Sequence, residues 1–183
     1  MKTLVAYSSL TGNTQKVAQA ISDAIPGAEI HPVDKTPNLS DYGLIIVGFW
    51  VDRGQPDRKT QEFIERVEGK PVGFFFTLGA YPDSDHAGDV ARVTEEMIAK
   101  GQNQVLGSFR CQGKVDPALL ERMKKSLPAD HPHAQMSPQR KARLEEAAKH
   151  PNDEDLLRAK AFADDTYRKA LSAPAKPNGG GRP

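Results

Sequence analysis

"YSSLTGNTQ", residues 7–15, carries five hydroxyl side chains and one glycine in nine positions, and no basic residue. The run before it, "KTLVAY" (2–7), is short and rich in β-formers, which predicts a strand. After it, Val17, Ile21, Ala24 and Ile25 recur at helical spacing and predict a helix over 14–25, stopped by Pro26-Gly27. The stretch is therefore a strand-to-helix turn. Amides at a helix N-terminus point outward, and the helix dipole favours an anion there. Gly12 lets backbone approach such an anion closely. Ser8, Ser9, Thr11, Asn13 and Thr14 add neutral donors. A phosphate monoester suits this ring of donors. Read alone, "TGNT" is equally good capping chemistry. It is neither a Walker loop nor a G-x-G-x-x-G turn.

The rest of the chain gives this turn its setting. "AEIHPV" (28–33) reads as a strand, and "KTPNLSDY" (35–42) as a loop. "LIIVGFW" (44–50) and "PVGFFFTLGA" (71–80) are continuous apolar runs, as expected of parallel strands covered on both faces. "QVLGSFRC" (104–111) is a fifth strand. Helical patterns fall at 56–68, with Phe63, Ile64 and Val67 inward, and at 84–100, with Val90, Val93 and Met97 on one side and Gly101 as the stop. Three more follow, at 117–127, 138–149 and 153–171. The tail 172–183 is Pro/Gly-rich and is expected to be disordered. The order βαββαβαβ followed by helices predicts an α/β fold with a parallel sheet and right-handed crossovers. Ligands in such sheets bind beyond the carboxyl ends of the strands, where strand order reverses.

Length and charge narrow the function classes. At 183 residues, one domain is expected, over 1–171, with 128–171 a helical extension. Net charge is +1, with −3 over residues 1–110 and +4 over 111–183. Nothing in this balance argues for a nucleic-acid or membrane surface. The one cysteine, Cys111, permits neither an internal disulfide nor a cysteine metal cluster, and fits a reducing compartment. "MKTLVAYS" is too short for a signal-peptide core, and no stretch approaches the ~20 apolar residues of a membrane span. The expectation is a soluble cytoplasmic protein, monomeric or weakly dimeric.

Two later loops belong to the same sheet edge as the opening turn. "WVDRGQPD" (50–57) begins with Trp50, the only tryptophan, and "LGAYPDSDHA" (78–87) carries Tyr81 at its tip. Either aromatic alone folds back on a core as readily as it binds anything. On adjacent loops the two can clasp a flat ring, which adds about 0.5–1.5 kcal/mol beyond area burial. With the anion turn, the pair points to a planar cofactor carrying a phosphate.

"YSSLTGNT" resembles the flavodoxin signature, in which an S/T-x-T-G-N-T loop wraps the phosphate of FMN, and Trp50 and Tyr81 fall in the two loops that flank the flavin ring in that family. The resemblance runs over about residues 1–127. It implies a flavodoxin-like three-layer sandwich with a five-stranded parallel sheet in the order 2-1-3-4-5, plus extra C-terminal helices. It implies FMN as the cofactor, with phosphate contacts from Ser8, Ser9, the Leu10 backbone, Thr11, Gly12, Asn13 and Thr14. Ring contacts would come from Trp50, Val51, Asp52, Arg53 and Gly54, and from Thr77, Leu78, Gly79, Tyr81 and Asp83. More closely, "GFWVDRGQPD", "TLGAYPDS" and "FRCQGKVD" look like a bacterial and archaeal branch of flavodoxin-domain proteins, some of which work beside flavin-dependent reductases, including bile-pigment reductases. The implied role is an electron carrier between a reductase and an acceptor redox enzyme. The alternative is an FMN-dependent reductase of a quinone or tetrapyrrole. No acid/base or nucleophile constellation is evident, so no catalytic side chain is assigned.

The sequence also departs from that family. Flavodoxins are strongly acidic and this chain is not. Arg53 stands in the ring loop, where a cation would raise the second reduction potential of a flavin; alternatively it is solvated and paired with Asp52 or Asp57. One helix after the fifth strand suffices for the family, but three patterns follow here. Within them His131 and His133 form His-x-His without an acid or cysteine at ligand spacing, so no metal is expected. Asn152 with Asp155 signals a helix start. Leu156, Ala159, Ala163 and Tyr167 form an apolar stripe, read as part of a helical hairpin packed on the sheet, or else a partner surface. Cys111 is expected to be buried and inert. His86 is read as a local cap partner, and Asp83, Asp85 and Asp89 as first-turn dipole residues.

Overall fold

The structure, a computed structural model, describes residues 1–126 and 137–172. The elements run β1 (Thr3–Tyr7), α1 (Asn13–Ala24), β2 (Glu29–Pro32), β3 (Leu44–Asp52), β4 (Gln55–Pro56), α2 (Arg58–Ile64), β5 (Pro71–Leu78), α3 (Asp85–Lys100), β6 (Gln104–Gln112), α4 (Pro117–Ser126), α5 (Pro138–Ala147) and α6 (Asp153–Ser172). Two 3-10 turns connect β2 and β3: Val33–Lys35, which ends the predicted strand 28–33 one residue early, and Leu39–Asp41 within the predicted loop 35–42. The main sheet is parallel in the order β2-β1-β3-β5-β6. With the two-residue β4 set aside, this is the expected five-stranded order.

β4 was not expected. The apolar run 44–50 continues as strand to Asp52, turns at Arg53 and Gly54 with φ of 51° and 82°, and pairs antiparallel through Val51–Pro56 and Asp52–Gln55. Pro56 is thus strand, and the predicted helix 56–68 begins only at Arg58.

Side chains alternate across the pleat and build two cores. Ile45, Val47 and Phe49 of β3, with Phe74, Phe76 and Leu78 of β5, face α2 and α3 and meet Phe63, Val90 and Ile98. Phe49 stacks on Phe76 at 5.3 Å between centroids. On the other face, Val5, Ile46 and Phe75 pack against Val17, Ala18 and Ile21 of α1 and Ala159, Ala163 and Ala170 of α6. Small alanines let α6 lie close beside α1. The stripe of Leu156, Ala159, Ala163 and Tyr167 therefore serves the sheet-facing core. α6 is the helix that covers this face next to α1, and α4 and α5 are inserted between β6 and it. In α5 only Ala147 is buried, so this face is covered by α1 and α6, and the C-terminal extension meets it through α6 rather than as a hairpin. His131, His133 and the tail from 173 onward lie outside the described residues.

Candidate functional site

The loop between β1 and α1 is fastened from below. The Ser8 amide donates to the Gly48 carbonyl (2.9 Å), and its hydroxyl donates to Asp57 Oδ1 (2.9 Å). Asp57 is 3% exposed and also accepts the Thr60 hydroxyl at 2.7 Å. Thr14 Oγ1 pairs with Thr77 Oγ1 at 2.9 Å, in a buried contact joining the first turn of α1 to the end of β5. These hydroxyls hold the loop in place on β3, α2 and β5.

The upper side of the loop is backbone. Gly12 precedes α1 in the left-handed conformation (φ 89°), with no side-chain cap, and a methyl group added there would meet nothing within 4 Å. Its own amide donates to Ser9 Oγ at 3.1 Å. The capping alternative for "TGNT" is therefore not realised. The first helical bond is Lys16 N–H to the Gly12 carbonyl (2.9 Å), so the amides of Asn13, Thr14 and Gln15 have no intrahelical partner. Thr11 is exposed and Leu10 is 47% exposed. No cation stands within Ser8–Thr14. Open amides, an unobstructed glycine and the Thr11 hydroxyl form a donor set that fits a phosphomonoester.

The two ring loops lie on the same edge, because β3 and β5 are adjacent and Trp50 pairs in register with Thr77. Trp50, Val51 and Asp52 are half-buried, while Arg53 at the hairpin tip is exposed. Among the described residues no ion pair joins Arg53 to Asp52 or Asp57; Asp57 is turned inward to Ser8 and Thr60. The cap of α3 is Ser84, whose Oγ accepts from the Ala87 amide (3.3 Å) and donates to the Tyr81 carbonyl (2.6 Å). His86 does not cap. Its Cε1 lies 3.6 Å from where a Cβ on Gly54 would stand, so the hairpin tip leans on the start of α3. Asp85 sits in the first turn of α3, whereas Asp89 pairs with Arg92 at 3.6 Å. Tyr81 (44% exposed) and Asp83 stand out in solvent beyond β5.

A shallow cleft runs between these loops. Leu10, Thr11 and Asn13 line one part, and Trp50, Val51 and Thr77–Gly79 another. The remaining wall is Gly113–Asp116 with Leu119, just past β6. The other expected site residues are not in the lining: Ser8, Ser9, Gly12 and Thr14 support the phosphate loop, and Asp52, Arg53, Gly54, Tyr81 and Asp83 surround the rim. Sequence reasoning missed the Gly113–Leu119 wall and Asp57. "FRCQGKVD" does place a glycine and a turn at the carboxyl end of the fifth strand, which was the available signal.

Cys111 is 1% exposed, and burial, reinforced by Asp155, pushes its thiol far above the usual range. Such a thiol is inert. Among the described residues no three His, Cys, Asp or Glu side chains converge as a metal site, and no helix is long and apolar enough to cross a membrane.

A doubly wound sheet with this turn and this cleft is the architecture of flavodoxins, and the profile of the Flavodoxin domain family matches residues 4–164. The chain belongs to that family. Among curated relatives it is similar to the flavodoxin-like domain-containing protein BilS of Clostridioides difficile (strain CD3), 34% identical over 179 residues, covering 93% of this chain and 98% of that one. Among solved structures it is similar in fold to a flavodoxin from the domain Archaea (TM-score 0.62, 17% identity, 93% of this chain and 99% of that one). It is also similar in fold to a flavoprotein of Lactobacillus acidophilus NCFM solved in complex with FMN (TM-score 0.51, 20% identity, 60% of this chain and 92% of that one).

Proposed function

We propose that this protein binds FMN at the carboxyl edge of its sheet and carries electrons from a reductase to an acceptor redox enzyme. One observation carries the reading: the cation-free turn with open amides at α1 shares a cleft with Trp50. A flavin supplies one- and two-electron transfer when bound. The protein's part is to hold and orient it. The amides of Asn13, Thr14 and Gln15 and the Thr11 hydroxyl hold the phosphate. Trp50 excludes water from one side of the ring, and Thr77–Gly79 give it a backbone edge. Family membership and the FMN complex of the Lactobacillus flavoprotein support this cofactor.

The one carboxylate among the described residues of the cleft, Asp116, accepts the Ala118 amide at 2.8 Å and so is engaged at the start of α4, an arrangement that favours a carrier over a reductase. Similarity to a flavodoxin-like domain-containing protein supports the flavodoxin-like reading of this chain; the alternative is that this protein is itself an FMN-dependent reductase of a quinone or tetrapyrrole. The absorption spectrum of the purified protein, with chromatography of the acid-released chromophore, tests the proposal. FMN in near-stoichiometric amount is expected. A colourless protein that takes up no FMN refutes it. Steady oxidation of NAD(P)H by the protein alone replaces the carrier with a reductase.

A further inference from the structure

We infer that the segment Gly113–Asp116 is a third wall of the ring slot, with Val115 as its contact residue, an inference that rests on the flavin reading above. Four bonds hold this segment at the cleft. The Gly113 amide donates to the Leu78 carbonyl at 3.0 Å, extending the strand pairing past the end of β5. The Lys114 carbonyl accepts the Asn13 side-chain amide at 2.9 Å. The Lys114 amide donates to the His150 carbonyl at 3.4 Å. Asp116 Oδ1 accepts the Ala118 amide at 2.8 Å, closing the segment into α4.

Two glycines admit it. A Cβ on Gly79 would stand 2.3 Å from Val115 Cγ2, so Val115 lies directly on the backbone of the ring loop. A Cβ on Gly113 would stand 2.9 Å from Asn13 Nδ2. Val115 is half-buried and shares the cleft lining with Trp50. An apolar, branched side chain placed there offers a planar ligand a second apolar surface.

The bonding reassigns Asn13. Its side-chain amide has two N–H groups, and both are used, one on Thr11 Oγ1 (2.9 Å) and one on the Lys114 carbonyl (2.9 Å). Only its backbone amide is left for an anion. The side chain is a positioning group that couples the phosphate loop to the wall. The C-terminal helices join the same unit, because Lys16 in the first turn of α1 reaches the Pro151 carbonyl at 2.9 Å, beside the His150 carbonyl that holds Lys114. The turn before α6 thus braces the wall from behind.

The test compares FMN with riboflavin, which has the ring and lacks the phosphate. Val115→Ala is expected to weaken both flavins by the same factor, about tenfold, from the methyl groups withdrawn. Gly79→Ala, which forces Val115 off the loop, is expected to weaken both as well. The double variant should recover to the level of Val115→Ala alone, since Val115 Cβ lies 3.8 Å from the added methyl, an ordinary contact. Unchanged affinities in Val115→Ala, a loss confined to FMN, or no recovery in the double variant each overturn the inference. Phosphate-dependent binding by the unaltered protein keeps the flavin reading intact in those cases. Absence of any flavin binding by the unaltered protein fails both.

Discussion

Asp57 shows how a buried carboxylate shapes a loop it does not belong to. It accepts hydroxyl donors from Ser8 and Thr60, and so keeps Ser8 pointing down and the loop amides above it free. Removing it leaves two buried hydroxyls without their acceptor, which costs about 1–3 kcal/mol. Asp57→Ala is therefore expected to lower the midpoint of urea unfolding with an unchanged m-value. A midpoint equal to that of the unaltered protein contradicts this role. At the other end of the cleft, Trp50→Ala removes burial and stacking, and is expected to weaken FMN by roughly 1–3 kcal/mol in a fluorescence titration. Arg53 is exposed and, among the described residues, has no ion pair with Asp52 or Asp57, so its charge is free to act on a ring in the neighbouring cleft. Arg53→Ala should lower the second reduction potential of the bound flavin in a redox titration; an unchanged value assigns Arg53 to solvent alone. The turn was legible as a strand-to-helix junction because its residues are contiguous, but the engagement of the Ser8, Thr14 and Asn13 side chains with distant protein partners was not. Asp57 was not, because its partner Ser8 is 49 positions away and nothing local distinguishes it from a surface aspartate.

Among the elements, the strongly apolar strands and most amphipathic helices were read close to their observed bounds; the exception is α2, read over 56–68 and observed only as Arg58–Ile64. Their periods follow from which faces they bury. The β3–β4 hairpin escaped because its second strand is two residues long and its turn sets Arg53 at φ 51°, a position where Asn or Gly is the usual signal. The stripe of α6 was read as packing on the sheet, as it does, but its neighbour there was not legible. Its alanine stripe is consistent with any close neighbour, and only the packed fold shows that the neighbour is α1. The reciprocal bonds at its start, Asp155 N–H to Asn152 Oδ1 (3.0 Å) and Asn152 N–H to Asp155 Oδ2 (2.9 Å), were legible from spacing. α6 also closes over Cys111, which has Asp155 in its electrostatic surroundings. A thiol-reactive aryl disulfide is accordingly expected to label the native protein negligibly at neutral pH, and to label its single cysteine fully in denaturant. Rapid labelling of the native protein would mean that α6 opens readily.

In the whole molecule, the loops of the proposed site converge on one edge. The parallel sheet places the ends of β1, β3, β5 and β6 side by side, and each contributes to the cleft: the Leu10–Asn13 turn, an indole, a backbone edge and the Val115 wall. The near-neutral charge, +1 overall, gives little long-range steering, so docking of a redox partner would depend on contacts around this rim more than on net charge. The central claim is that the turn Ser8–Thr14 grips the phosphate of a flavin. Its most direct measurement is the ratio of riboflavin to FMN dissociation constants, in the flavin-free protein and in Thr11→Ala. The account predicts a large ratio in favour of FMN, which falls in the variant while riboflavin affinity holds. Equal affinities for the two flavins in the unaltered protein, or equal losses in the variant, would contradict it.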